Sequence, residues 1–316
     1  MNFPLFPEQG SSLAVQTDYI YWGLTCLSAF ALLIIFIPMI FFLLKYRRGK
    51  AADRRPIKLR TNPIEITWTA IPLLIMMCFF GWSATQYFDL ERPPADAMEI
   101  NVVGKQWMWK IQHPEGNREI NELHVPVGRN VKIILASQDV IHSFFLPAFR
   151  IKQDVVPGRY TTEWFKATRV GSYHLFCSEF CGTQHSAMGG RVVVMEPAAY
   201  EQWLMHGQPQ STMVQSGEQL FRQLGCSGCH INSTIIRAPP LEGLYGKAVP
   251  LQSGEVVVAD EGYLRDSILL PAKQIAAGYT NDMPSFQGRL SEEELLQVVA
   301  YVKSLANKAP STEGRP

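Results

Sequence analysis

Charge is scarce in this sequence of 316 residues: 18% are charged, and the net charge is +1. A nucleic-acid binder presents a basic stripe or face, which so even a balance argues against. The hydrophobic share, 47%, lies in the range of soluble domains and excludes a polytopic transporter. Cysteine is scarce too. The six residues Cys26, Cys78, Cys177, Cys181, Cys226 and Cys229 are too few for a disulfide scaffold. Four of them form two tight pairs, a spacing that points to cofactors rather than cross-links.

In two stretches charge is missing altogether. Residues 19–44 and 66–88 contain no charged side chain over 26 and 23 positions. As helices they reach about 39 and about 35 Å, enough to cross a hydrocarbon core of about 30 Å. A buried core helix seldom carries an apolar run beyond about 14 residues. Tyr19, Tyr21, Trp22, Trp82 and Tyr87 lie near the ends, as expected of interfacial aromatic belts. Both stretches read as membrane spans. Residues 45–60 between them hold eight Lys or Arg and one acid, Asp53, whereas residues 1–18 hold Glu8 and Asp18 and no base. The positive-inside bias puts that loop in the cytoplasm and both termini outside. With no basic n-region, the first span is expected to be retained rather than cleaved. Everything from about residue 89 onward is then extracytoplasmic, where exposed thiols oxidise unless they are bound.

From residue 98 the pattern becomes short, alternating and β-branched: MEINVVGKQWMWKIQH, NVKIILASQDVIHSFFLPAF, TTEWFKATRVGSYHLF and GGRVVVME. Such runs, punctuated by turn residues, predict a sandwich or Greek-key barrel ending near Glu196. The segment CSEFCGTQHSAM supplies Cys177, Cys181, His185 and Met188, and His142 lies upstream in VIHSFF. Thiolate, imidazole and thioether together suit copper moving between two oxidation states. Two thiolates four residues apart on a loop can bridge two metals. A disulfide would leave the histidines and the methionine without a reason to converge, and zinc has no use for a thioether.

After a Gln/Ser-rich stretch comes CSGCH, the pattern of covalent c-type haem attachment. Cys226 and Cys229 would form the thioethers and His230 the proximal iron ligand. Met283 is the only methionine after His230, and no histidine follows it. It is the expected sixth ligand, followed by Pro284 and by an amphipathic helix in LSEEELLQVVAYVKSL.

With VIHSFFLPAFRIKQDVVPGR, CSEFCGTQHSAMGG and GKQWMWK on the page, the chain resembles subunit II of haem–copper cytochrome c oxidases, in the variety with a fused C-terminal cytochrome c domain. NPIEITWTAIP and APPLEGLYGK add to the likeness. The resemblance implies a binuclear copper A centre held by His142, Cys177, Cys181, His185 and Met188, with the Glu179 backbone carbonyl contributing. It also implies a magnesium site shared with subunit I through the Glu179 side chain. Trp107 would be the aromatic through which electrons reach the copper, with Met108 where the family often has Tyr. Glu65 would stand at the cytoplasmic mouth of a proton pathway into subunit I. Pro239 would offer its carbonyl to the His230 ring, with Ala238 where the family usually has Gly.

The expected organisation is multidomain: a two-helix transmembrane hairpin (1–90), an all-β cupredoxin-like Greek-key barrel (91–197), a linker (198–212) and a small all-α cytochrome c domain (213–310). The expected function is electron transfer in a proton-translocating terminal oxidase of the bacterial plasma membrane. Its partners would be subunit I, other membrane subunits, the lipid bilayer and an external donor: a soluble cytochrome, an iron–sulfur protein or a quinol-oxidising complex. Nucleic acid is not among them. No histidine lies in either span, so the oxygen-reducing site belongs to a partner. A short linker would hold the haem domain at a local concentration of about millimolar. Two alternatives stay open: the equivalent subunit of a copper-containing nitric oxide reductase, and a stand-alone membrane-anchored electron carrier.

Overall fold

A computed structural model describes residues 6–53, 61–206, 211–231 and 238–307. The basic loop beyond Asp53, the end of the expected linker (207–210) and the last three residues of the expected haem domain lie outside the described residues.

Helices α1 (Ser12–Lys45) and α2 (Asn62–Glu91) carry the two apolar runs. Both are long and apolar enough to cross a membrane, and no residue of either most apolar window is buried. Each extends past its uncharged stretch. For α1 the reason is local: the Ser11 side chain caps it by accepting from the Ala14 amide at 3.1 Å. Ser11 Oγ also donates to the Phe149 carbonyl at 2.9 Å, and Leu13 and Ala14 are buried. Asp18, on the same end, takes a bidentate pair from Arg150 with both N···O separations at 2.9 Å. The first span is thus clamped to the outer domain, and α2 is joined to it by the Trp164 indole donating to the Asp89 carbonyl at 2.9 Å.

The outer domain packs two five-stranded sheets face to face, as the alternating pattern predicts. The first orders β3 (Arg118–Ile120), β2 (Met108–Gln112), β1 (Met98–Lys105), β5 (Asn130–Ser137) and β8 (Thr161–Lys166). The second orders β4 (Glu122–Pro126), β10 (Gly189–Met195), β9 (Gly171–Cys177), β6 (His142–Leu146) and β7 (Ile151–Val155). Ile100, Trp109, Ile133, Phe144, Leu175 and Val192 are fully or almost fully buried between them. The short strands β3, β4 and β7 carry too few apolar residues to announce themselves.

Residues 198–206, expected as linker, instead belong to helix α3 (Pro197–His206), packed on this domain. Trp203 stacks on His124 with ring centroids 4.6 Å apart, and Glu119 bridges His113 (2.8 Å) and His124 (2.5 Å) beneath it. Burial of Tyr200 and of these rings gives the helix an apolar face, which its polar composition hides.

The C-terminal domain contains α4 (Met213–Gln223), α5 (Cys226–His230), a hairpin of β11 (Ala248–Pro250) and β12 (Val256–Val258), α6 (Glu261–Leu269) and α7 (Glu292–Ser304). Capping boxes at Thr212/Gln215 and Ser291/Glu294 start α4 and α7. The two helices cross closely at Gly217, where a Cβ would lie 2.0 Å from the Gln297 carbonyl. This domain also packs on the first sheet. Val103, Ile134 and Ala136, on the outer face of β1 and β5, are buried with Met213 and Leu296. That second buried face explains why β1 and β5 are buried along most of their length, on both faces.

Candidate metal and haem centres

Three strand ends build the first site. His142 opens β6, Cys177 closes β9, and the loop between β9 and β10 carries Cys181, His185 and Met188. Antiparallel pairing of β6 with β9 sets Phe144 opposite Cys177 and so brings His142 alongside the loop. One ligand atom each of His142, Cys177 and Cys181 lies within 4.8 Å of the others. The two sulfurs are 3.8 Å apart, and Cys181 Sγ is 3.5 Å from His185 Nδ1 and 3.7 Å from Met188 Sδ. The Glu179 carbonyl oxygen stands 3.3 Å from Cys177 Sγ. All five side chains expected as copper ligands therefore converge. His142, both cysteines and Met188 are buried, while His185 is half-buried.

The site's electrostatics suit a cation. Burial raises the Cys177 thiol, but the neighbouring His142 side chain and the Ser143 backbone overcome it and hold the group down at about 6. Burial and the neighbouring Cys177 push Cys181 up to about 12. His142 Nδ1 is buried and finds no protein partner, while Nε2 is 2.7 Å from Asp139 Oδ1. An imidazole tied at one nitrogen and free at the other is a prepared metal ligand. Two sulfurs, two imidazoles and a thioether around one buried point fit copper.

Trp107 is half-buried beside this site, and its indole Nε1 donates to the Cys181 carbonyl at 3.3 Å. Gln106 donates to the same oxygen at 2.7 Å. Gly182, at φ +119°, follows that carbonyl, and a Cβ there would lie 2.9 Å from Gln106 Nε2. Sequence reasoning missed Gln106 and Asp139: a polar residue beside a motif has no periodic signal of its own. The Glu179 side chain is exposed, as is Glu65 in the first turn of α2.

The second site is an apolar cleft in the C-terminal domain. Cys226, Cys229, His230 and Met283 line it, with Phe286 and Val302 among its walls. Gly225, at φ +80°, turns the chain into the single helical turn that presents CSGCH. His230 Nδ1 is 3.0 Å from the Pro239 carbonyl oxygen, which accepts its proton and fixes the ring. Burial lowers the His230 pKa, so the imidazole is neutral and its other nitrogen keeps its lone pair. Two thiols, a tethered imidazole and a thioether on one apolar cleft fit a covalently attached haem.

Residues 117–196 match the family described as cytochrome c oxidase subunit II, periplasmic domain, and residues 214–306 match cytochrome c. A cytochrome c oxidase subunit 2 from Thermostichus vulcanus is 31% identical over 263 residues, covering 66% of this chain and 80% of the relative. The chain belongs to the cytochrome c oxidase subunit 2 family. Another subunit 2, from Alkalihalophilus pseudofirmus, is 29% identical over 310 residues, covering 92% of this chain and 88% of the relative. Among solved structures, the periplasmic domain of subunit II of cytochrome oxidase from Bradyrhizobium japonicum is 30% identical. It covers 38% of this chain and 100% of that domain, with a TM-score of 0.36.

Family membership makes the chain a subunit of a haem–copper oxidase, anchored by two membrane helices and carrying a periplasmic domain. Haem and copper are its implied cofactors, and other oxidase subunits its implied partners.

Proposed function

We propose that this subunit carries electrons from an external donor through a haem c domain and a binuclear copper A domain to the oxygen-reducing subunit I. Haem and the copper pair, when bound, supply one-electron redox chemistry. The chain's own residues hold and shield those groups. His142, Cys177, Cys181, His185 and Met188 would hold the copper pair, and the Glu179 carbonyl would contribute beside them. Cys226 and Cys229 would anchor the haem, and His230 and Met283 would be the ligands of its iron. The Pro239 carbonyl keeps the His230 ring in one orientation. Trp107 bridges the surface and the Cys181 backbone, the contact expected of an aromatic that passes electrons inward.

The observation that carries this reading is the convergence of two cysteines, two histidines and a methionine on one buried point at the ends of β6 and β9. Direct packing of the haem domain on the copper domain supports internal transfer, because no diffusional docking step separates them. The exposed Glu179 carboxylate is available for the magnesium shared with subunit I. Glu65, at the end of α2 next to the basic loop, suits the mouth of a proton pathway on the cytoplasmic side. That orientation, with both termini outside a bacterial plasma membrane, rests on the positive-inside bias.

Electron paramagnetic resonance of the full-length protein, loaded with copper and haem in detergent, tests the reading. A hyperfine pattern from one electron shared by two copper nuclei is expected, beside a low-spin haem. A single-copper pattern would remove the bridging role of Cys177 and Cys181.

A further inference from the structure

Asp139 lies in the loop between β5 and β6 with its side chain 25% exposed. Its two oxygens serve different parts of the chain. Oδ1 accepts from the Val140 amide and stands near His142 Nε2, both at 2.7 Å, while Oδ2 accepts from the Gln106 amide at 2.8 Å. Gln106 then donates through its side chain to the Cys181 carbonyl at 2.7 Å. A continuous path of hydrogen bonds runs from His142 through Asp139 and Gln106 to the Cys181 backbone. The path has little slack. A Cβ on Gly104 would meet the His142 ring at 3.0 Å, and one on Gly182 would meet Gln106 Nε2 at 2.9 Å.

We infer that Asp139 is a positioning residue of the copper centre and that Gln106 relays its hold to the copper loop. The inference rests on the copper reading above and deepens it. A carboxylate that accepts the Nε2 proton fixes the tautomer in which Nδ1 carries the lone pair. His142 Nδ1 is the buried nitrogen without a protein partner. Because the Gln106 amide, in the turn between β1 and β2, helps pin that carboxylate, the orientation of the ring is tied to that turn. That same turn carries Trp107, so one side chain sets both a copper ligand and the aromatic beside the copper loop.

The test uses full-length copper- and haem-loaded protein with the variants Asp139→Ala, Asp139→Asn and Gln106→Leu. Asp139→Ala is expected to weaken copper binding about 10–100-fold in chelator competition and to alter the copper hyperfine pattern, with the haem spectrum unchanged. Asp139→Asn keeps one acceptor oxygen for three donors and should fall between, which keeps the test open if the alanine variant does not fold. Gln106→Leu should perturb the copper spectrum while leaving the amide bond to Asp139 in place. Folded Asp139 variants with wild-type copper affinity and hyperfine pattern, even if less heat-stable, overturn the inference. Absence of a two-copper signal in the wild type overturns the copper reading itself, so the two failures are distinguishable.

Discussion

Lys303, in the last turn of α7, lies 2.6 Å from Glu99 on β1, so the haem domain is tied by charge to the copper domain it covers. The same ammonium is 2.7 Å from Glu261, and Lys132 on β5 reaches both acids, at 2.9 and 3.3 Å. At the other end of α7, Glu293 pairs with Lys110 at 2.6 Å. With the apolar patch around Leu296 between them, these contacts lay α7 along β1. Charge-bearing residues with no periodicity of their own therefore fix how the two redox domains meet.

Lys303→Ala removes charged hydrogen bonds to two partly buried acids and should cost about 2 kcal/mol at neutral pH. Glu99, the more exposed partner, supplies the smaller share. Burial alone would raise Glu261, but Lys303, Tyr245 and Lys132 overcome it and bring the group down to about 2 from 4.5. A depressed carboxylate stabilises fully above its ordinary value, and that contribution fades as pH falls toward the folded one. Wild-type protein should thus lose stability between about pH 4.5 and about 2, and the variant should lose less. Thermal unfolding across that range, followed by circular dichroism, measures both.

Glu163 points into the sandwich from β8, and neither of its oxygens has a protein partner. Burial raises its pKa well above the ordinary 4.5. The sign is opposite to that of Glu261: the unfolded chain releases this proton first, so stability falls as pH rises from the ordinary value toward the folded one. The slope reaches about 1.4 kcal/mol per pH unit where only the unfolded state is ionised. Glu163→Gln should flatten that slope, which denaturant titrations at a series of pH values would reveal. An unchanged slope would mean that the carboxyl is ionised in the folded protein.

Met283→Ala should leave the haem covalently attached to Cys226 and Cys229 while removing the sixth ligand. The expected result is a low-spin to high-spin change in the absorption spectrum and a lower midpoint potential. Replacing either cysteine should instead weaken attachment, read as haem lost on denaturing gels. A Met283 variant with an unaltered spectrum would exclude that methionine from the iron.

Cys181→Ser breaks the sulfur pair at the residue that also faces His185 and Met188. The shared two-copper hyperfine pattern should vanish, whereas Met188→Leu should retain it with a shifted potential. Resonance spectra and redox titration of the same samples separate the two effects.

Much of this was legible in residue order because it depends on local spacing. An uncharged run either is or is not long enough to cross a bilayer, and CSGCH places two thiols and an imidazole on one turn whatever surrounds it. The segment from Cys177 to Met188 likewise carries four of the five converging side chains within twelve residues. His142 was legible only as a residue type. Its arrival beside that loop depends on β6 lying against β9, a pairing between distant segments.

Residue order was enough for the two long apolar helices, the β-rich outer domain, the CSGCH turn and the thiol, imidazole and thioether groups of the loop between β9 and β10, since each follows from chain periodicity or from neighbours along the chain. Tertiary structure alone decided that Asp139 links His142 to Gln106, that α3 is part of the outer domain, and that α7 covers β1 and β5. Those outcomes depend on which distant backbone and side-chain groups satisfy one another once buried, and hydrogen-bond donors and charges carry no periodic signal of the partner they will meet.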